Sequence, residues 1–258
     1  MTIALKKKYK GILSLSYSLA KANFKVRNEA SYLGILWYLL NPLSFFLIIL
    51  YLRGVLSTAA AIAYYPVYLM VGLIMMNFFN QAVGASVDLI RNNAGFIKSI
   101  KIPYEVFVLS TLFQSMFSHL FELSLVAILF IFFHLSLIGL LWYIIVFIFY
   151  ALFTLGLCFM FSTIGLYFSD FGNIWSIASQ LLFFITPVFY VVNPGNYIYS
   201  GNLFNPLFYF MTSVRDVAIY STMPSLHMIV AMLLLSFGSM VIGVSIFTKC
   251  KGRFAEFI

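Results

Sequence analysis

The chain has 258 residues, 63% of them hydrophobic and only 9% charged, with a mean hydropathy of +1.03. Soluble domains carry about 25% charged residues, so a water-soluble enzyme is excluded; 30 Phe and 17 Tyr exclude a solvated, disordered coil as well. The net charge of +8 does not point to nucleic acid, because eight of the fifteen Lys and Arg precede position 54 and three more close the chain, a placement that suits membrane orientation and anionic lipid.

In chain order, residues 4–27 come first and read as an amphipathic helix lying in the membrane interface. Leu5, Tyr9, Ile12, Leu15, Leu19 and Val26 share one broad face, and Lys7, Lys10, Lys21 and Lys25 cluster opposite. A basic topogenic tail would have the same composition. Six apolar runs follow, at roughly 33–52, 64–90, 105–133, 138–168, 173–192 and 226–248, each long enough to cross the hydrocarbon core. Backbone groups in lipid must bond internally, and the runs lack the alternation of barrel strands, so helices are predicted. Ala59, Ala61 and Ala63 imitate a signal-peptidase site. The run before them is nevertheless too long for a cleaved leader, and a permanent helix is expected. The third and fourth spans should form a tight hairpin around His134. Between the fifth and sixth spans, Pro and Gly cut 193–224 into pieces too short to cross, as expected of re-entrant or interfacial helices.

The predicted fold is therefore an all-α integral membrane protein with six transmembrane helices. One membrane domain is expected over 1–258: an interfacial segment at 1–30, the six-helix body at 31–248 and a tail at 249–258. With the N-terminus cytoplasmic, thirteen Lys and Arg fall inside and two, Arg53 and Arg215, fall outside, so both termini are placed in the cytoplasm.

Chemistry is sparse. There is no GxxxxGK[ST] phosphate loop, HExxH, Gly-x-Ser-x-Gly or CxxC, and Cys158 and Cys250 fit neither a disulfide framework nor a metal motif. His119 and Glu122 lie three apart on one face of the third span. A carboxylate-bridged metal site would need more such groups from other helices, so an interhelical hydrogen bond is the favoured role. As ionisable groups inside a membrane they remain functional candidates.

Tyr32-Leu33-Gly34, Trp37, Asn41-Pro42 and the upstream Arg27 resemble the start of the first membrane helix in permease subunits of bacterial polysaccharide ABC exporters. Asn93-Ala94-Gly95-Phe96-Ile97-Lys98 with Ile102-Pro103 resembles that family's first cytoplasmic loop. Phe168-Ser169-Asp170-Phe171-Gly172, Thr186-Pro187-Val188-Phe189-Tyr190, Asn205-Pro206-Leu207 and Arg215 continue the pattern in family order, over 27 to 216. Ile102 stands where Phe is common, and Ser169 where Arg often precedes the Asp.

The resemblance implies a homodimer in the bacterial cytoplasmic membrane, bound to two copies of a separate ATP-binding subunit. That subunit would carry ATP and Mg, and this chain no cofactor. The resemblance also implies that 91–103 is a coupling helix, with Phe96 and Ile97 as apolar anchors beside Arg91, Lys98 and Lys101. A short basic cytoplasmic loop would look the same for topology alone. A lipid-linked glycan would need aromatic faces and small polar groups without charged traps. On the fifth helix Asn173, Ser176, Gln180, Phe183, Pro187 and Tyr190 follow steps of three and four, with Ser179 and Thr186 beside them. Tyr38, Asn41 and Phe45 share a face of the first helix, next to Trp37 and Ser44. Both stripes would also suit helix packing; the six agreeing positions favour lining for the fifth helix, and the first stays open. Alternatives are an ABC permease for small hydrophobic compounds, a membrane-embedded enzyme acting on lipid-linked sugars, and a structural assembly protein.

Overall fold

The computed structural model describes residues 2–29, 31–56, 62–99, 102–192 and 197–257, with the side chains of 2–10, 55 and 56 left aside. The elements are α1 (Thr2–Glu29), α2 (Leu36–Leu56), α3 (Tyr65–Val87), α4 (Leu89–Asn92), α5 (Ala94–Ser99), α6 (Tyr104–Phe132), α7 (Ile138–Tyr167), α8 (Phe171–Ile185), α9 (Tyr197–Asn202), α10 (Pro206–Ala218), α11 (Leu226–Cys250) and a 3-10 helix, Lys251–Glu256. Five of them, α2, α3, α6, α7 and α11, are long and apolar enough to cross a membrane, and α8 is a shorter apolar helix.

α3 is the most buried span and α2 and α11 are the least. α3 therefore forms the axis of the body, packed by α6, α7, α10 and α2. α7 and α11 come closest where two glycines cross: a Cβ on Gly156 would lie 2.4 Å from the Ser239 carbonyl carbon, and one on Gly243 would lie 2.0 Å from the Gly156 oxygen. Apolar side chains gain nothing by leaving lipid for one another, so such close backbone approach is how membrane helices associate. The expected hairpin between α6 and α7 is present, with His134 in the left-handed region at φ 55°.

The fifth predicted span differs from expectation. Its helix ends at Ile185 rather than running to 192, because Thr186 precedes Pro187 and is held extended at ψ 138°. Fifteen helical residues reach only about 22 Å, short of the roughly 30 Å hydrocarbon core. The carbonyls freed at the break are taken up by Arg215 of α10, whose Nη1 donates to the Pro187 oxygen at 2.6 Å and Nη2 to the Val188 oxygen at 2.8 Å. The guanidinium lies 3.5 Å from the centre of the Tyr68 ring. Gly72 leaves the space for it, since a Cβ there would fall 2.3 Å from Arg215 Nη2. Within the Pro- and Gly-punctuated stretch, α10 starts where Asn205 accepts from the Leu207 amide at 3.0 Å, with Pro206 in the first turn. Asn193, Pro194 and Gly195 of that stretch, and Ala59 and Ala61 after the first span, lie outside the described residues.

α1 also departs from its predicted face. It leans on α6 through Tyr17, whose ring is 5.6 Å from Phe117, and Phe24, stacked 6.0 Å from Phe121, while Ser16 and Ala20 are fully buried. Of the broad apolar face, Ile12 and Leu19 are half-buried, Leu19 against the core, while Leu15 and Val26 stay exposed. The C-terminal residues fold back, with Phe254 buried 5.2 Å from the rings of Tyr104 and Phe247 and Lys251 donating to Glu105 at 2.8 Å.

Candidate functional site

α8 touches the body through Phe171, 5.1 Å from Phe161, and Trp175, 6.0 Å from Phe79 and 5.0 Å from Phe161, and a gap lies between α8, α3 and α2. The gap is a cleft of about 420 Å³. Asn41 and Phe45 of α2, Asn77 and Asn80 of α3, and Ser179, Gln180 and Phe183 of α8 line it. The Phe45 and Phe183 rings meet at 6.1 Å, tilted by 51°. A second cleft of about 590 Å³ shares Asn41 and Asn77 and extends past Ser44, Tyr38, Trp37, Asn28 and Arg27. Tyr38 is almost fully buried there, stacked 5.6 Å from Phe24 under Arg27, and its hydroxyl meets no hydrogen-bond partner. A third cleft, about 240 Å³, runs from Arg27 past Asn80 and Gln81 to Gln114 and Ser115 of α6.

Five of the predicted path residues, Tyr38, Asn41, Phe45, Gln180 and Phe183, thus line two clefts that share a wall. Asn173 and Ser176 do not line them; they are exposed nearer the start of α8. Tyr190 is not on the helical stripe, because the helix has already ended. Its hydroxyl donates to the Ile185 carbonyl, and its own carbonyl accepts from Tyr68 at 2.8 Å, so it stitches the break together. Pro187 is buried at the same break.

The sequence reading passed over the α3 wall. Asn77, Asn80 and Gln81 recur at three- and four-residue steps in an otherwise apolar helix, and that spacing was visible without coordinates. Asn80 Oδ1 is buried without a partner. The walls of the first cleft offer carboxamides, which both donate and accept, and aromatic faces, with no charged side chain among them. Such a surface can pair with hydroxyls in either sense of the hydrogen bond.

Behind the wall lies the predicted His–Glu pair, now with partners on two other helices. Glu122 accepts from Asn77 of α3 and sits 3.3 Å from His119 Nδ1, while His119 Nε2 is 2.8 Å from the hydroxyl of Tyr143 on α7. Among the described residues no three His, Cys, Asp or Glu come together as a metal site.

Of the predicted coupling residues, Phe96 of α5 is 60% exposed, whereas Ile97 is half-buried against the core. Lys98 is exposed. Arg91 turns inward and donates to the Leu166 carbonyl at the end of α7 at 2.9 Å. Lys101 lies outside the described residues.

Residues 15–219, from within α1 to just past α10, match the family model for the ABC-2 type transporter. The chain belongs to the ABC-2 type transporter family. It is also similar to three proteins described as O-antigen export system permease protein RfbA. One from Klebsiella pneumoniae is 29% identical over 261 residues, covering 100% of both chains. A second from Klebsiella pneumoniae is 29% identical, covering 99% of this chain and 100% of its own. The third, from Myxococcus xanthus, is 26% identical, covering 97% of this chain and 96% of its own. As an ABC-2 transporter membrane subunit, the protein is a multi-pass transporter component rather than an enzyme, and its family implies an ATP-binding partner subunit.

Proposed function

We propose that this chain is the transmembrane subunit of an ATP-driven exporter that carries a lipid-linked polysaccharide of the O-antigen kind across the bacterial cytoplasmic membrane. The observation that carries this reading is the cleft between α2, α3 and α8, where carboxamides and Phe rings stand together on an otherwise apolar wall without a fixed charge. Aromatic faces take the C–H surfaces of sugars and carboxamides take their hydroxyls, so a repeating chain can slide from one to the next. The full-length similarity to O-antigen export permeases supports the same substrate class.

In this reading residues 1–258 form one membrane domain with both termini cytoplasmic, and two copies assemble with two ATP-binding subunits. Nucleotide and Mg are held by those subunits. The short helices α4 and α5 dock on them, with Phe96 as the apolar anchor and Arg91 fixing the loop to α7. Asn173, Ser176 and Tyr190 contribute at the margins of the path rather than inside the clefts.

The test is to delete the gene, restore it with a tagged copy, and follow both surface polymer and co-purified proteins. Loss and recovery of surface polysaccharide, with a phosphate-loop ATPase purifying in equal amount, is the expected result. Unchanged surface polymer together with no associated ATPase would refute the reading.

A further inference from the structure

A chain of directed hydrogen bonds runs from the interior of the body to the cleft wall. Tyr143, His119 and Glu122 are all buried, and Phe147 stacks on the imidazole at 4.4 Å and 6°, fixing its plane. An ionised Glu122 can only accept, so His119 Nδ1 carries the proton toward it at 3.3 Å and Nε2 is left to accept from the Tyr143 hydroxyl at 2.8 Å. Both Glu122 oxygens then accept, one from His119 and one from the Asn77 amide nitrogen. A carboxamide whose nitrogen is committed on one side presents its oxygen on the other. Asn77 Oδ1 accordingly faces Asn41, whose Nδ2 approaches it at 3.5 Å, inside the cleft.

We propose that Glu122 is a positioning residue for the transport path: it locks Asn77 with its carbonyl oxygen toward the cleft, so that the α3 wall prefers ligands that donate hydrogen bonds, such as sugars with free hydroxyls. The inference rests on the reading of the cleft given above. It assigns a role to a buried carboxylate that touches no substrate. The lock depends on donor and acceptor order rather than on charge. Glu122→Gln preserves it, because the new amide oxygen accepts from Asn77 while the new amide nitrogen donates to the other tautomer of His119. Asn77→Leu removes the cleft-facing oxygen itself, and Glu122→Leu leaves the oxygen in place but frees the carboxamide to turn.

The test uses the purified full-length chain carrying Ser179→Cys as a reporter in the cleft and Cys250→Ser to remove the other accessible thiol. Maleimide labelling is measured with increasing maltoheptaose or its permethylated form, with a melting temperature for every variant. Maltoheptaose should protect at the lower concentration, and that preference should fall about fivefold, the worth of one net hydrogen bond, in Glu122→Leu and Asn77→Leu. Glu122→Gln should keep the preference. A preference unchanged in Glu122→Leu would overturn the inference alone. So would a Glu122→Gln variant that melts like the parent yet loses the preference, which decides the matter if Glu122→Leu fails to fold. Absence of protection by either sugar in the parent would overturn the reading of the cleft, and the positioning role with it.

Discussion

Arg215 reaches across from α10 to the carbonyl of Pro187, 2.6 Å away, and so closes the end of an apolar helix too short to span the hydrocarbon core. The bond explains why a charged residue is 2% exposed in a body of apolar helices. In lipid the freed carbonyls of Pro187 and Val188 would otherwise face no donor, and non-helical backbone is tolerated only where protein covers it.

Arg215→Leu should therefore destabilise the protein by leaving two carbonyls unpaired, at about 1–3 kcal/mol each. Gly72→Ala should act in the same direction, because its Cβ would fall 2.3 Å from Arg215 Nη2 and 2.9 Å from the Val188 oxygen. Arg215→Lys should be intermediate, since an ammonium lacks the planar fork that serves both carbonyls. Melting temperature in detergent orders the three. A Gly72→Ala protein as stable as the parent would show that the latch has slack.

The two apolar residues of α5 should separate. Phe96→Ala removes an exposed ring, so the melting temperature should hold while association with the ATP-binding subunit weakens, as expected for an interface anchor. Ile97→Ala removes a side chain packed on the core, and should lower the melting temperature by the equivalent of about 2 kcal/mol or more. Co-purification against melting temperature distinguishes them, and equal effects of both changes would remove Phe96 from the docking surface.

Gly243→Leu should be among the most damaging changes in the chain. Its Cβ alone would meet the Gly156 oxygen at 2.0 Å, so α7 and α11 must part. Loss of the folded peak in size exclusion is the expected result. Recovery of a normal peak would mean that the seam can open without cost.

Lys251 and Glu105, though 2.8 Å apart, are partly exposed and should matter little. Lys251→Ala should change stability by less than about 1 kcal/mol, and less still in high salt. Phe254→Ala, at a fully buried ring against Tyr104, should cost about 3–5 kcal/mol, again read as a melting temperature.

Length and apolarity made the membrane spans legible, because only about 20 uninterrupted apolar residues can cross. α3, α6, α7 and α11 fall within a few residues of their predicted runs. The stop of α8 was written in Thr186-Pro187, yet hydropathy continues through Val188, Phe189 and Tyr190 and masked it. The path was half legible. Polar steps on the first and fifth helices marked Asn41 and Gln180, whereas Asn77 and Asn80 face the same gap from a helix whose other sides are buried. Periodicity tells which residues share a face and not what that face meets. The docking of α1 through Ser16 and Ala20 could not be read for a related reason: an amphipathic wheel weighs hydrophobicity, and close approach is decided by size.

The central claim is that polymer passes between α2, α3 and α8. Cysteines at Gln180 and Phe45, both in the cleft, are compared with one at Leu234 on the exposed flank of α11. Each is labelled in membranes where an ATPase-defective partner holds polymer in transit, and again in membranes that make no polymer. Stalled polymer should slow labelling at 180 and 45 and leave 234 unchanged. Equal labelling at 180 and 45 with and without polymer would contradict it.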